Sequence, residues 1–112
     1  MEYKGNDFYC DIALKNTSSL KKEYESENVL AYHHTRPSWP VHIVVVSKKH
    51  IPSFTDRNTT DGTIVKEMLD VVKTIAKKVE KEKGGARILT NLGKYQDSKH
   101  LHFHVNSGDS LR

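Results

Sequence analysis

The segment His100-Leu101-His102-Phe103-His104-Val105 alternates strictly between imidazole and apolar side chains. Successive side chains of a β-strand point to opposite faces, so the three histidines share one face at steps of about 6.6–7 Å. Leu101, Phe103 and Val105 share the other, which must face a core. One histidine on a half-exposed strand is ordinary. Three in register commit a whole strand face to groups that titrate near neutrality. Histidine is also abundant, at seven of 112 residues, with five in the groups His33-His34 and 100–104.

The remaining elements follow from periodicity. Residues 6–14 place Phe8 and Ile12 at helical spacing and read as a short opening helix. Residues 21–26 and 28–33 read as strands, followed by a turn between Pro37 and Pro40 that contains Trp39. Val41–Ser47 is β-branched and apolar, which predicts a central strand. Residues 48–60 are polar and turn-rich. Thereafter Ile64, Val65, Met68, Leu69, Val72, Ile75, Ala76 and Val79 recur in steps of three and four, one apolar stripe of a long helix. Thr60 or Asp61 can cap its start through a side-chain oxygen. Lys77, Lys78, Lys81 and Lys83 load its C-terminal end, where cations suit the helix dipole, and Gly84-Gly85 ends it. Residues 86–91 and 100–106 read as strands joined by a loop over 92–99. This order predicts one α+β domain over 1–112: a largely antiparallel sheet of about five strands, one long helix and one short helix.

Composition excludes several classes. A length of 112 residues suits one domain that buries roughly two thirds of its unfolded surface. The longest apolar run, 43–46, is four residues, so no membrane span is expected. The first residues are polar, so no secretory signal is expected. Cys10 has no partner cysteine, which fits a reducing, cytoplasmic setting. Eighteen Lys and Arg against fourteen Asp and Glu give +4. That charge suits an anionic ligand, and no nucleic-acid partner is expected.

Imidazoles on one strand face can ligate a metal or do nucleophilic and acid–base work on an anion. No carboxylate or cysteine cluster lies nearby to complete a four-ligand site. His42 lies on the central strand with Val44 and Val46, opposite Ile43 and Val45; taken alone it reads as a core-edge histidine. His50 reads as structural at that strand's end. Lys48-Lys49 is either a phosphate-attracting pair or a solvated strand end, and the second is the default for exposed lysines. Trp39 can border a pocket or an interface, or simply pack.

The run Pro40-Val41-His42-Ile43-Val44-Val45-Val46-Ser47-Lys48-Lys49-His50-Ile51, followed by a helix, a short strand and the 100–105 alternation, resembles the histidine triad (HIT) superfamily. Ala31-Tyr32-His33 before the proline turn matches as well, and the resemblance runs over residues 8–108. The layout is most similar to the small histidine triad nucleotide-binding proteins. Their fold implies a homodimer whose sheets join across the interface. Their activity implies a phosphoramidase: a hydrolase that binds purine nucleotides such as AMP or GMP and cleaves AMP joined through phosphorus to an amine or similar leaving group. By position, the resemblance makes His102 the nucleophile that forms a nucleotidyl-imidazole. His104 and His42 contact phosphoryl oxygens, and His100 supports the others. For nucleotide binding, Asn91 matches an asparagine near the phosphate and leaving group, Gln96 matches the glutamine of the loop before the triad, and Ser98 can supply a hydroxyl there. Tyr32, His33 and Ile43 line the base and ribose pocket.

The chain departs from that pattern at several places. His34 stands where an acidic residue often holds the ribose hydroxyls. Asp97 stands where a Ser or Thr is usual, with Ser98 able to supply the hydroxyl and Lys94 or Lys99 able to pair the carboxylate. Asn106 replaces a hydrophobic residue, and the loop between Asn91 and His100 is shortened. Cys10 lacks the second cysteine of the zinc site found in some members, so no structural zinc and no cofactor are expected. A weak site through Cys10, His50 and His100 is the residual metal option. The resemblance favours the hydrolase; the alternatives are a nucleotide-binding module with little or no turnover and a metal-binding protein.

Overall fold

Six regular elements carry the fold: β1 (Lys22–Glu25), β2 (Val29–His33), β3 (Val41–Ser47), α1 (Gly62–Lys83), β4 (Arg87–Leu89) and β5 (His102–Ser107). The computed structural model describes residues 17–55 and 61–111; the expected helix over 6–14, Cys10 and Thr60 lie outside them. The strands form one sheet in the order β1-β2-β3-β5-β4. Every neighbouring pair is antiparallel, as the sequence predicts, and β3 sits at the centre.

Strand parity divides the sheet into two faces. On one, Val29, Ala31, Ile43, Val45, Phe103 and Val105 meet Val65, Met68, Val72, Ile75, Ala76 and Val79 of α1 in the main core. On the other, Leu30, Tyr32, Val44 and Val46 form a smaller cluster with Leu20. Burying one Val- or Leu-sized side chain contributes about 1.5–3 kcal/mol. Helix propensity differs among ordinary residues by at most about 0.7 kcal/mol. Packing of the stripe, rather than the propensity of its β-branched residues, therefore holds α1 in place. Among the described residues no helix is long and apolar enough to cross a membrane.

Three expectations about α1 meet different outcomes. Gly84 ends it in the left-handed region at φ 87°, its N–H donating to the Glu80 carbonyl at 2.8 Å. At its start, Asp61 makes no side-chain cap; its carboxylate, 2% exposed, accepts from Lys49 Nζ at 2.7 Å. A buried carboxylate without a cation costs more than the roughly 1 kcal/mol a cap supplies, so the ion pair wins. Leu69 leaves the stripe and is 44% exposed, whereas Val71 is buried. At 100° per residue Leu69 falls roughly 90° from the stripe's axis. It stands beside Ile88 on the edge strand β4, along a groove of about 630 Å³.

The hairpin of β1 and β2 is tied to α1 by Glu67, whose carboxylate accepts from Tyr24 Oη (3.0 Å), Asn28 Nδ2 (3.3 Å) and Ser26 Oγ. The Ser26 hydroxyl leads those bonds in holding the carboxyl below its ordinary 4.5. Strand β4 is shorter than expected, and β5 begins at His102. His100 precedes the strand because the β3–β5 ladder ends at Val46↔His102. From there Leu101 N–H donates instead to the Ile51 carbonyl at 2.6 Å.

Candidate active site

The face turned away from α1 carries the imidazoles. On β5, His102, His104 and Asn106 stand opposite Val46, Val44 and His42, so His42 is the diagonal neighbour of His104. Their rings make a row. His102 lies 4.9 Å from His104, and His104 lies 5.0 Å from His42. His34 extends the row by stacking on His42 at 4.4 Å and 20°. Trp39 meets His42 edge-on at 5.1 Å, which places it at the border of the site.

Hydrogen bonds assign the protons along this row. The backbone N–H of Ser38 can only donate, and it points at His42 Nδ1 from 3.0 Å. In the neutral ring the His42 proton therefore sits on Nε2. That N–H donates to His104 Nδ1 at 2.8 Å. The His104 proton is consequently on Nε2, the nitrogen left for a ligand. Burial holds the His104 ring neutral, its pKa lowered to about 3, and the His102, His42 and His34 rings reinforce the effect.

This neutrality has a consequence for stability. A group whose folded pKa lies below its unfolded value of 6.5 binds fewer protons when folded, so stability is complete above that value and falls as pH drops toward 3. About 1–2 kcal/mol is expected to be lost between pH 6.5 and 5 from this ring. Denaturant titrations of wild type and His104→Asn at both pH values check it: the variant should lack this part of the slope, and equal slopes would refute the assignment.

His102 is fixed differently. Its Nδ1–H donates to the carbonyl of His100 at 2.6 Å, since a carbonyl can only accept, so in the neutral ring the lone pair is on Nε2. His100 is fully buried. Its Nε2–H donates to the Ser47 carbonyl at 2.6 Å, with Ser47 Oγ 3.2 Å away. The Ser47 hydroxyl donates in turn to the Lys49 carbonyl at 2.8 Å. His100 is thus a strut whose ring is anchored and whose carbonyl holds the next histidine. The ring of His50 packs edge-on against it at 5.2 Å.

The other expected site residues divide. Tyr32 lies on the imidazole side, buried against Leu30, Val44 and Val46, and burial pushes its hydroxyl well above its ordinary 10. His33 and Ile43 do not join it. They are one residue out of phase with Tyr32 and Val44, so their side chains lie on the α1 side and cannot line a pocket with the triad. His33 Nε2 pairs there with Glu23 Oε1 at 2.7 Å, and Glu23 also faces Lys78 of α1 at 3.5 Å. Ile43 is core. His34 is drawn into the imidazole row, and its Nδ1 accepts from the Arg36 N–H at 2.9 Å.

In the connection between β4 and β5, Asn91 is half-buried, and extending the β4–β5 register beyond Leu89↔His104 sets it beside His102. Gln96 is buried and donates through Nε2 to the Pro52 carbonyl at 2.8 Å, tying this loop to the segment after β3. Ser98 is half-buried and Asp97 exposed. Lys99 donates to the Gly93 carbonyl at 2.9 Å and to that of Gln96, and Lys94 lies over the Tyr95 ring at 5.3 Å. At the end of β3, Lys48 pairs with Glu25 at 2.8 Å, and Lys49, its side chain half-exposed, pairs with Asp61. Among the described residues no three His, Cys, Asp or Glu are grouped to hold a metal ion.

Sequence reasoning misses Ser38, Ser47 and Thr90. Ser38 acts through its backbone, which leaves no side-chain signal. Ser47 and Thr90 (whose hydroxyl donates to the His102 carbonyl at 2.7 Å) are ordinary strand-end residues in the sequence.

The arrangement sets a lone pair on one imidazole beside an N–H on the next, a pairing suited to attack on a centre that carries a polar oxygen. Comparison with known proteins shows what the chain is similar to. The family model described as "Scavenger mRNA decapping enzyme C-term binding" matches residues 6–111. An uncharacterized HIT-like protein of Buchnera aphidicola is 33% identical over 100 residues, covering 88% of this chain and 89% of that one. A HIT family hydrolase from Clostridium thermocellum superposes with a TM-score of 0.76 at 25% identity, covering 98% of this chain and 96% of that one. A hypothetical histidine triad nucleotide-binding protein from Sulfolobus tokodaii gives 0.69 at 26% identity, covering 91% and 70%.

Proposed function

The chain belongs to the histidine triad superfamily, and from that membership we propose that it is a nucleotide-binding hydrolase of the phosphoramidase type, cleaving a purine nucleoside 5′-phosphoramidate or related nucleotidyl compound at the α-phosphorus. The observation that carries this reading is the proton assignment: His102 presents a lone pair at Nε2 while His104 presents an N–H.

His102 Nε2 attacks phosphorus as a neutral imidazole, forming a P–N bond as the bond to the leaving nitrogen breaks. That nitrogen takes up a proton from water and departs as the amine. The positive charge on the His102 ring is stabilised through Nδ1–H by the His100 carbonyl. Water then attacks phosphorus, the P–Nε2 bond breaks, and the second water proton returns to solvent. The products are the amine and the nucleoside monophosphate. Throughout, His104 Nε2–H donates to a phosphoryl oxygen and keeps its proton, a role worth about 2.7–4 kcal/mol for one such donor elsewhere.

The reading is tested by intact mass spectrometry after brief mixing with adenosine 5′-phosphoramidate, alongside AMP release. A nucleotidyl adduct or AMP production supports the hydrolase. AMP binding without either would make the chain a binding module.

The same reading includes a homodimer. Strand β4 is a sheet edge, and Ile88, 54% exposed, stands on it beside Leu69. An open edge with apolar side chains next to it is a template for a second strand, here that of a second copy. Ile88→Glu is expected to shift the protein to a monomer in sedimentation velocity; a variant that sediments as wild type would exclude this edge.

A further inference from the structure

We infer that Thr90 is a positioning residue for His102, an inference that rests on the hydrolase reading for its kinetic part. Strand β4 leaves the sheet early, its last rung being Leu89↔His104. Continued in that register, Thr90 would face Phe103 and Asn91 would face His102, but the ladder reaches neither pair. Instead the Thr90 hydroxyl donates to the His102 carbonyl at 2.7 Å. The side chain of one residue thus replaces the missing backbone bond.

Two bonds therefore converge on His102 from opposite ends of the residue. Its ring is held by the His100 carbonyl at 2.6 Å, and its own carbonyl is held by Thr90. A ring hydrogen bond made to the residue two positions upstream constrains the imidazole only if the backbone between them is fixed. His100 is fixed by Ser47. On the downstream side Thr90 does this work, because β4 no longer can. The hydroxyl also lets the chain turn away at Asn91 without releasing β5. Placement matters because a misplacement near 1 Å in an active site can cost about 10²-fold in rate.

Thr90→Val keeps the branched shape and removes the donor, whereas Thr90→Ser keeps the donor. Thr90→Ala carries the same expectation as Val and stands in should the Val variant not fold. With adenosine 5′-phosphoramidate, kcat of Thr90→Val is expected to fall roughly tenfold with KM within about twofold of wild type, a loss confined to chemistry. Thr90→Ser should recover most of it. In long-range nitrogen–proton NMR spectra, the His102 ring should report one Nδ1–H tautomer in wild type and the Ser variant, and a mixture in the Val variant. Wild-type kcat together with an unchanged tautomer in Thr90→Val would overturn the inference, as would a Ser variant as impaired as Val. If wild type itself does not turn over the phosphoramidate, the hydrolase reading falls. A tautomer change in Val but not in Ser would then still establish the positioning role.

Discussion

Replacing His102 by Ala is expected to lower phosphoramidate turnover by on the order of 10⁴-fold or more, the scale seen when a covalent nucleophile is removed. The variant removes the lone pair that would bond to phosphorus, and nothing else in the row can supply it. His104 is the nearest ring, yet its Nδ1 accepts from His42 and its Nε2 carries the proton. His100 is fully buried with its Nε2 bound to Ser47. Nucleotide affinity should change little, because a purine nucleotide would still meet the His104 N–H and the surrounding face. The check is paired: no nucleotidyl adduct and no AMP above background, with AMP binding by calorimetry within about threefold of wild type. A variant that kept wild-type turnover would show that another group attacks.

His42→Phe is expected to lower kcat by about 10²–10³-fold, the cost of losing one preorganised donor to a developing oxyanion. His42 itself need not touch the phosphoryl group for this to hold. Its Nε2–H, bonded to His104 Nδ1 at 2.8 Å, is what keeps the His104 proton on the far nitrogen. With phenylalanine in place the proton can move to Nδ1, and His104 then offers a lone pair where it should offer a donor. The variant should show a mixed His104 tautomer by nitrogen–proton NMR and an unaltered His102 tautomer. The freed Ser38 N–H, if left buried, costs about 1–3 kcal/mol of stability, so rates are compared well below the variant's melting temperature. A variant with wild-type kcat would remove the relay from the mechanism.

Most of this architecture could be read from the chain because strand parity is a strong code. The alternation at 102–105 and the placement of His42 with Val44 both rest on a period of two, and both faces appear as that period requires; His100, expected on the same face, lies before the strand, where the period does not apply. The same rule could have excluded His33 and Ile43 from the pocket: each neighbours a residue of the imidazole face and so must point the other way. Their place beside Tyr32 is what the family likeness implies, and parity overrides it. Other features had no local signal. The bond from Ser38 to His42 uses a backbone amide. That from Thr90 to His102 depends on where β4 ends, which three-dimensional packing decides. Asp61 carries a good capping signature, yet burial recruits Lys49 to it, and a sequence pattern does not register burial. Leu69 fits the helical stripe by spacing alone but lies at its margin, where an open sheet edge leaves it uncovered.

Parity also sets what kinds of change this protein can absorb. Along β5, neighbouring residues answer to unrelated demands: Phe103 and Val105 pack beneath α1, while His102 and His104 face the site. A substitution touches one demand at a time, so Val105→Ile alters packing and leaves the imidazoles where they are. An insertion or deletion of one residue within the strand is different in kind. It would turn every following side chain over, sending imidazoles into the apolar core and apolar groups onto the reactive face. Folding and chemistry would fail together. Within β5, then, individual residues on the helix side can be exchanged, but the number of residues from His102 to Asn106 cannot.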